Sequence, residues 1–136
     1  MIQNLPKDLV EAVQFLKFFE ESSVHTKRTR AFEDAIEIFN SHLQDAPDTS
    51  HKLFIKNLKR TYTRKLLEQL PSFFTLDIYD WFGYCKLLLI SVQNESEEIG
   101  KEYPHLKQNA EKFIEVWREE AIAAFQGISE RSKRIN

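Results

Sequence analysis

Turn punctuation is scarce in this sequence, with three glycines and four prolines in 136 residues. A β-sandwich or barrel of that length needs many more tight turns, so the shortage favours long helices joined by short connections. The three glycines, Gly83, Gly100 and Gly127, are isolated, which leaves no Gly-rich loop to cradle a phosphate. Cysteine is nearly absent. Cys85 stands alone in an apolar run and cannot form an internal disulfide, which points to a reducing compartment and a cytoplasmic chain. The start MIQNLPKDLVEAV lacks a basic n-region and a small-residue cleavage site, so no secretory signal is expected. A long apolar run free of charge is missing too. The best stretch, residues 73–92, contains Asp77, Asp80 and Lys86. Each central charge costs about 2.5–3.5 kcal/mol on insertion scales, so a helix inside the fold is expected there and no membrane insertion. Neither sign of charge dominates: 19 basic against 21 acidic residues leave a net charge of −2, which excludes a bulk polycation for nucleic acid.

What is present is core material. Hydrophobic residues make up 42% of the chain and include eleven phenylalanines, too apolar a composition for a disordered segment. One domain is the default at this length, and the chain is long enough to bury about two-thirds of its extended surface. Leu9, Val13 and Leu16 mark a first amphipathic helix, opened near Pro6 and ended at Glu20-Glu21-Ser22-Ser23. Phe32, Ile36, Phe39 and Leu43 mark a second, from about Thr26 to Ala46, where Pro47 stops it. Asp48-Thr49-Ser50 supplies N-cap residue types for a third, with Phe54, Ile55, Leu58, Tyr62, Leu66 and Leu70 inward.

Residues 72–92 are apolar nearly all round, which predicts a largely buried central fourth helix. A short acidic helix from Glu95 to about Glu102 follows, and Pro104 should break or kink it. The last helix, about 105–127, carries Leu106, Ala110, Phe113, Trp117, Ala121, Ala124 and Ile128 in steps of 4, 3, 4, 4, 3 and 4. That is the spacing of bundle or coiled-coil packing. Gly127 is expected to end it, with a frayed polar tail at about 129–136. The sequence therefore predicts an all-α, single-domain bundle of five to six helices over residues 1–136.

Charge is segregated along the third helix. Between Thr49 and Leu67 there is no acid, while Lys52, Lys56, Lys59, Arg60, Arg64 and Lys65 are all basic. At about 100° per residue, Lys52, Lys56, Lys59, Arg60 and Arg64 share an arc of roughly 140° opposite the Phe54–Leu58–Tyr62 seam. Lys27, Arg28 and Arg30 add a second basic cluster. Together these residues are the candidate binding face for phosphates or an acidic partner. Two things count against nucleic acid: no stacking aromatics are interleaved, and acids at 95–102 or 33–37 are placed to neutralise the patch.

Asp77 and Asp80, one turn apart on the most apolar helix with Tyr84 on nearly the same face, form a candidate buried polar site. A buried carboxylate must be paired, hydrogen-bonded or protonated. The expected partners are Arg60, Arg64, Tyr62 or Tyr84.

Familiar helical chemistries each lack a part. A di-iron bundle needs two Glu-x-x-His motifs, but Pro104 sits inside Glu102-Tyr103-Pro104-His105. Asp48-Thr49-Ser50-His51 lies at a helix start, where N-capping explains Asp48, and His25 and His42 have no partner at ligand spacing. Neither metal nor cofactor is expected. The acidic run Glu95, Glu97, Glu98, Glu102 resembles the first helix of all-α nucleotide pyrophosphohydrolases over fewer than a dozen residues. No downstream Glu-x-x-Asp pair follows Glu111, so the resemblance carries no assignment. His105-Leu106-Lys107 lacks the spacing of a phosphotransfer histidine, and none of the seven arginines precedes a histidine as helical ribonuclease-like domains require. Cys85 has no histidine nearby and reads as a buried thiol.

By elimination, the leading reading is a non-enzymatic interaction or regulatory module that binds another protein through a helical face. The apolar surplus around Phe73-Phe74 and Trp81-Phe82 adds a homodimer as a candidate form. The alternative is a nucleic-acid-associated protein using the basic face, and the third is a helical enzyme with an acidic interior site. The sequence leans away from the enzyme.

Overall fold

In a computed structural model the fold is described for residues 5–45 and 48–135, with side chains described to residue 126. Six α-helices form one all-α bundle, and no strand occurs among the described residues. They are α1 (Lys7–Glu21), α2 (His25–Gln44), α3 (Thr49–Gln69), α4 (Ile78–Lys86), α5 (Gln93–Glu102) and α6 (Pro104–Ile135).

Helix starts follow the local chemistry. Pro6 precedes α1, and the Asp48 side chain accepts the His51 backbone N–H to open α3. Pro104 opens α6, where its missing N–H costs nothing. Gly100 lets α5 approach α6: an added Cβ would lie 2.8 Å from Lys107 Cβ.

The core draws on every helix. Leu9, Leu16 and Phe19 of α1 meet Phe32, Ile36 and Phe39 of α2, with Phe19 and Phe32 edge-to-face at 4.8 Å. Ile55, Leu66 and Leu67 of α3, Trp81, Tyr84 and Cys85 of α4, Ile99 of α5, and Leu106 and Phe113 of α6 complete it. Each fully buried Leu or Phe contributes about 1.5–3 kcal/mol relative to exposure, which is what holds the helices together.

Two expectations are corrected. Residues 72–92 do not form one long buried helix. A 3₁₀ turn (Leu70–Phe73), a bend, the short α4 and a π-helical turn (Leu87–Ser91) share the segment. The cause is Asp77, whose carboxylate accepts the N–H groups of Tyr79 and Asp80 and so starts a new helix. Only one face of this segment is in the core. Tyr79, Phe82, Leu89 and Ile90 point outward, Tyr79 at 86% exposure and Ile90 at 71%.

The second correction concerns α6, which passes through Gly127 and continues to Ile135. One glycine costs a helix about 1 kcal/mol relative to alanine, and no proline follows to add a true stop. At 1.5 Å per residue α6 is about 48 Å long, while α3, the next longest, is about 31 Å. The bundle cannot cover all of it.

Candidate functional site

The basic face of α3 is largely spent inside the fold. Lys59 pairs with Glu95 at 2.8 Å, and both side chains are less than one-fifth exposed. Arg60 pairs with Glu102 across the α3–α5 contact. Arg64 donates to Glu68 at 2.9 Å and to the Tyr103 hydroxyl at 3.1 Å, with its guanidinium 4.2 Å from the Tyr103 ring. The neighbouring Lys65 reaches Glu20 of α1 at 3.2 Å. The acids of residues 95–102 thus do what their position in the sequence suggested. Lys52 and Lys56 are exposed and have no acidic partner among the described residues.

Nor does the second basic cluster join the first. Lys27 and Arg30 border a groove of about 540 Å³ between α1 and α2, beside Phe15, Phe18, Ala31, Glu11 and Asp34. Arg28 is not on the surface at all: it is 6% exposed. Its Nε donates to the Phe19 carbonyl at 2.8 Å, Nη1 to the Tyr84 hydroxyl at 2.6 Å and Nη2 to Gln69 Oε1 at 2.9 Å. The guanidinium also lies 4.4 Å from the centre of the Phe19 ring. A cation in this position is held by the carbonyl end of α1, by neutral acceptors and by an aromatic face. Nearness in sequence grouped Arg28 with Lys27 and Arg30, and the tertiary contact of α2 with α1, α3 and α4 supplies the acceptors that hold it inside.

The expected buried carboxylate site is likewise redrawn. Asp77 is an exposed helix cap, and Asp80 is half-buried in a surface depression of about 230 Å³ with Thr29, Glu33, Phe82 and Lys86. Neither meets Arg60 or Arg64, which are engaged elsewhere. Partial burial, with the Asp77 charge next to it, raises the Asp80 carboxyl above its ordinary value. Tyr84 alone of the three is truly buried. Its hydroxyl bonds Arg28 and the His25 Nδ1, the latter at 2.6 Å, and its ring stacks on Phe73 at 4.2 Å. Burial pushes that phenol up to about 12 despite the Arg28 charge.

The polar centre of the fold is therefore Arg28–Tyr84–His25–Gln69, and it is closed by hydrogen bonds rather than open to a substrate. Sequence reasoning had Tyr84 in view but not its partner. The one available signal was that Phe19, Arg28, Phe32 and Phe73 lie in otherwise apolar seams, where an arginine on the inner arc must find acceptors.

Two features remain open. The first is an apolar strip on α4 and α6. Phe82 stacks on Trp117 at 5.2 Å, and Trp117 Nε1 donates to the Ile78 carbonyl at 3.1 Å, which fastens α6 to the start of α4. Beyond Trp117 the cover ends. Ala121 is half-buried, Ala124 exposed, Ile122 50% and Phe125 87% exposed. The second is a histidine pair at the α2–α3 corner, where His42 Nε2 lies 3.4 Å from His51 Nδ1. His42 and His51 are nine residues apart, off any single-helix ligand spacing, so the sequence had shown no partner for His42.

No group of three or more metal-binding side chains occurs among the described residues, and no helix among them is long and apolar enough to cross a membrane. Compared with known proteins, the chain matches no family model, no curated protein and no solved structure.

Proposed function

We propose that this chain is a non-enzymatic protein-interaction module whose binding element is the projecting half of α6, extended by the Phe82–Trp117 strip. One observation carries the reading. The seam Leu106, Ala110, Phe113, Trp117, Ala121, Ala124 keeps its 4-3-4-4-3 spacing past the point where the chain can cover it. Leu106, Ala110 and Phe113 are buried, and the same spacing then runs on with Ala124 and its neighbour Phe125 in water. Seam spacing without an in-chain partner is the mark of a helix that packs on another chain.

The occupant that fits is a helix, and the charge order of α6 favours a second copy running antiparallel. Residues 111–120 carry four acids against two bases, Lys112 and Arg118, and residues 128–136 carry three bases against one acid, Glu130. Antiparallel pairing about residue 124 sets each basic end against the acidic stretch of the other copy. The α3 basic face supports this reading more than the nucleic-acid alternative, because its acid-paired cations act as internal ties.

Sedimentation equilibrium of the purified chain at micromolar to 100 µM concentration tests the proposal. A reversible dimer that Phe125→Glu makes at least tenfold weaker, with helicity retained, is the expected result. The second arm places a photo-crosslinking residue at 125, with 17 on α1 as control. A monomer at every concentration, with no adduct from 125 above that control in cells, refutes the reading.

A further inference from the structure

We propose that the α2–α3 corner binds one divalent transition-metal ion of the zinc–nickel–copper class between His42 and His51. This site is independent of the α6 surface.

The four side chains form a line. Asp8 Oδ2 lies 2.9 Å from His42 Nδ1, His42 Nε2 lies 3.4 Å from His51 Nδ1, and His51 Nε2 lies 3.7 Å from Asp48 Oδ2. They come from the first turn of α1, the last turn of α2 and the start of α3. Asp48 is held in place, since its Oδ1 accepts from the Ser50 hydroxyl and the His51 backbone N–H. The rings are mostly covered, at 12% and 17% side-chain exposure, while the carboxylates are open at 46% and 63%.

With both imidazoles neutral, hydrogen bonding leaves one position in this line unsatisfied. A carboxylate oxygen only accepts, so His42 Nδ1 carries a hydrogen and neutral His42 turns a lone pair on Nε2 toward His51. If His51 gives its hydrogen to Asp48, two lone pairs face each other at 3.4 Å. If it instead puts the hydrogen on Nδ1, the contact is longer than a good N–H···O or N–H···N bond, and Nε2 confronts Asp48 with a lone pair. Either one more proton on His51 or a metal ion that takes both lone pairs resolves the conflict, and the 3.4 Å spacing, long for an N–H···N bond, favours the metal.

The spacing suits a metal ion. With metal–nitrogen bonds of about 2.0–2.1 Å, two tetrahedral ligand atoms stand about 3.3–3.4 Å apart. His42 Nδ1 also has what a metal-bound histidine wants, a carboxylate at 2.9 Å that fixes the tautomer and raises basicity, and Asp48 stands 3.7 Å from the corresponding nitrogen of His51. Imidazole suits zinc, nickel and copper, and solvent would fill the remaining positions.

Titration of Zn²⁺, Ni²⁺ and Co²⁺ into the tag-free full chain at pH 7.5, by calorimetry and Co²⁺ absorption, tests the site. One equivalent is expected to bind, with no thiolate charge-transfer band from Cys85. His42→Gln and His51→Gln should each weaken binding at least tenfold. Asp8→Asn, which leaves both ligands in place, should weaken it by about 10–100-fold, and His105→Gln should change nothing. Because a ligand variant can fail to fold, imidazole ¹⁵N shifts of the wild-type chain give a second readout. With Zn²⁺, His42 Nε2 and His51 Nδ1 are expected to move together. Binding that survives both glutamine variants, a Cys85 band, unmoved imidazole signals or no binding at millimolar metal overturns the proposal.

Discussion

Replacing Arg28 by Met removes the guanidinium while keeping the length and apolar stem of the side chain. Three donors are lost: to the Phe19 carbonyl at 2.8 Å, the Tyr84 hydroxyl at 2.6 Å and Gln69 Oε1 at 2.9 Å. The Phe19 carbonyl sits in the last turn of α1, where the helix offers no donor of its own. Tyr84 keeps its bond to His25, and Gln69, only half-buried, recovers part of its bonding from water. A buried acceptor left unpaired costs about 1–3 kcal/mol. Relief of the desolvation that Arg28 suffers offsets some of this. The net expectation is a loss of about 3 kcal/mol, or a fall in melting temperature of about 10 °C for a chain of this size. Arg28→Lys should also destabilise, because one ammonium cannot serve three acceptors set out in a fork. Urea unfolding followed by circular dichroism gives the numbers, and a cycle with Tyr84→Phe isolates the Arg28–Tyr84 bond. An Arg28→Met variant within about 1 kcal/mol of wild type, or an Arg28→Lys variant equal to it, refutes the reasoning.

Three further outcomes follow from single side chains. Burial pushes the Cys85 thiol up to about 12, so a thiol reagent at pH 8 should label the native chain only at the rate of unfolding; prompt labelling contradicts its placement. Thr63 is fully buried and its hydroxyl has no partner among the described residues, so Thr63→Val should stabilise by about 1 kcal/mol in urea melts, and a loss of that size would show that the hydroxyl is satisfied. Hydrogen bonding from Tyr62, then the Lys65 pair, outweighs burial and holds the Glu20 carboxyl below its ordinary value. The stabilisation is therefore present above the unfolded value near 4.5 and is lost as pH falls through the lower folded value. Glu20→Gln should accordingly flatten the acid limb of stability against pH, and an unchanged limb counts against the Glu20–Tyr62 contact.

Periodicity and capping residues were enough to read α1, α2, α3, α5 and the start of α6, because each rests on signals within one or two turns of chain. Pro6, Asp48 and Pro104 stand where they do for local reasons, and the structure keeps them there. The neutralising role of the 95–102 acids was also legible as charge balance. The segment 72–92 was misread because apolar content says that a stretch is apolar, not that it is covered. Asp77 looked like a buried carboxylate and is a cap: the cap bond competes with helix continuation, and a hydrophobicity count does not contain it.

By itself the sequence determined the all-α class, the starts of the other five helices and the seam that runs through α6, but not the start of α4. Only the tertiary structure decided which charges meet and which faces stay open. Arg28 goes inside because the end of α1, Gln69 of α3 and Tyr84 of α4 converge on it. His42 and His51 become neighbours because α2 and α3 turn back at their shared corner. Phe125 stays in water because α6 outruns the other helices. Helix formation is governed by contacts three and four residues apart, whereas burial and pairing depend on residues brought together from distant parts of the chain.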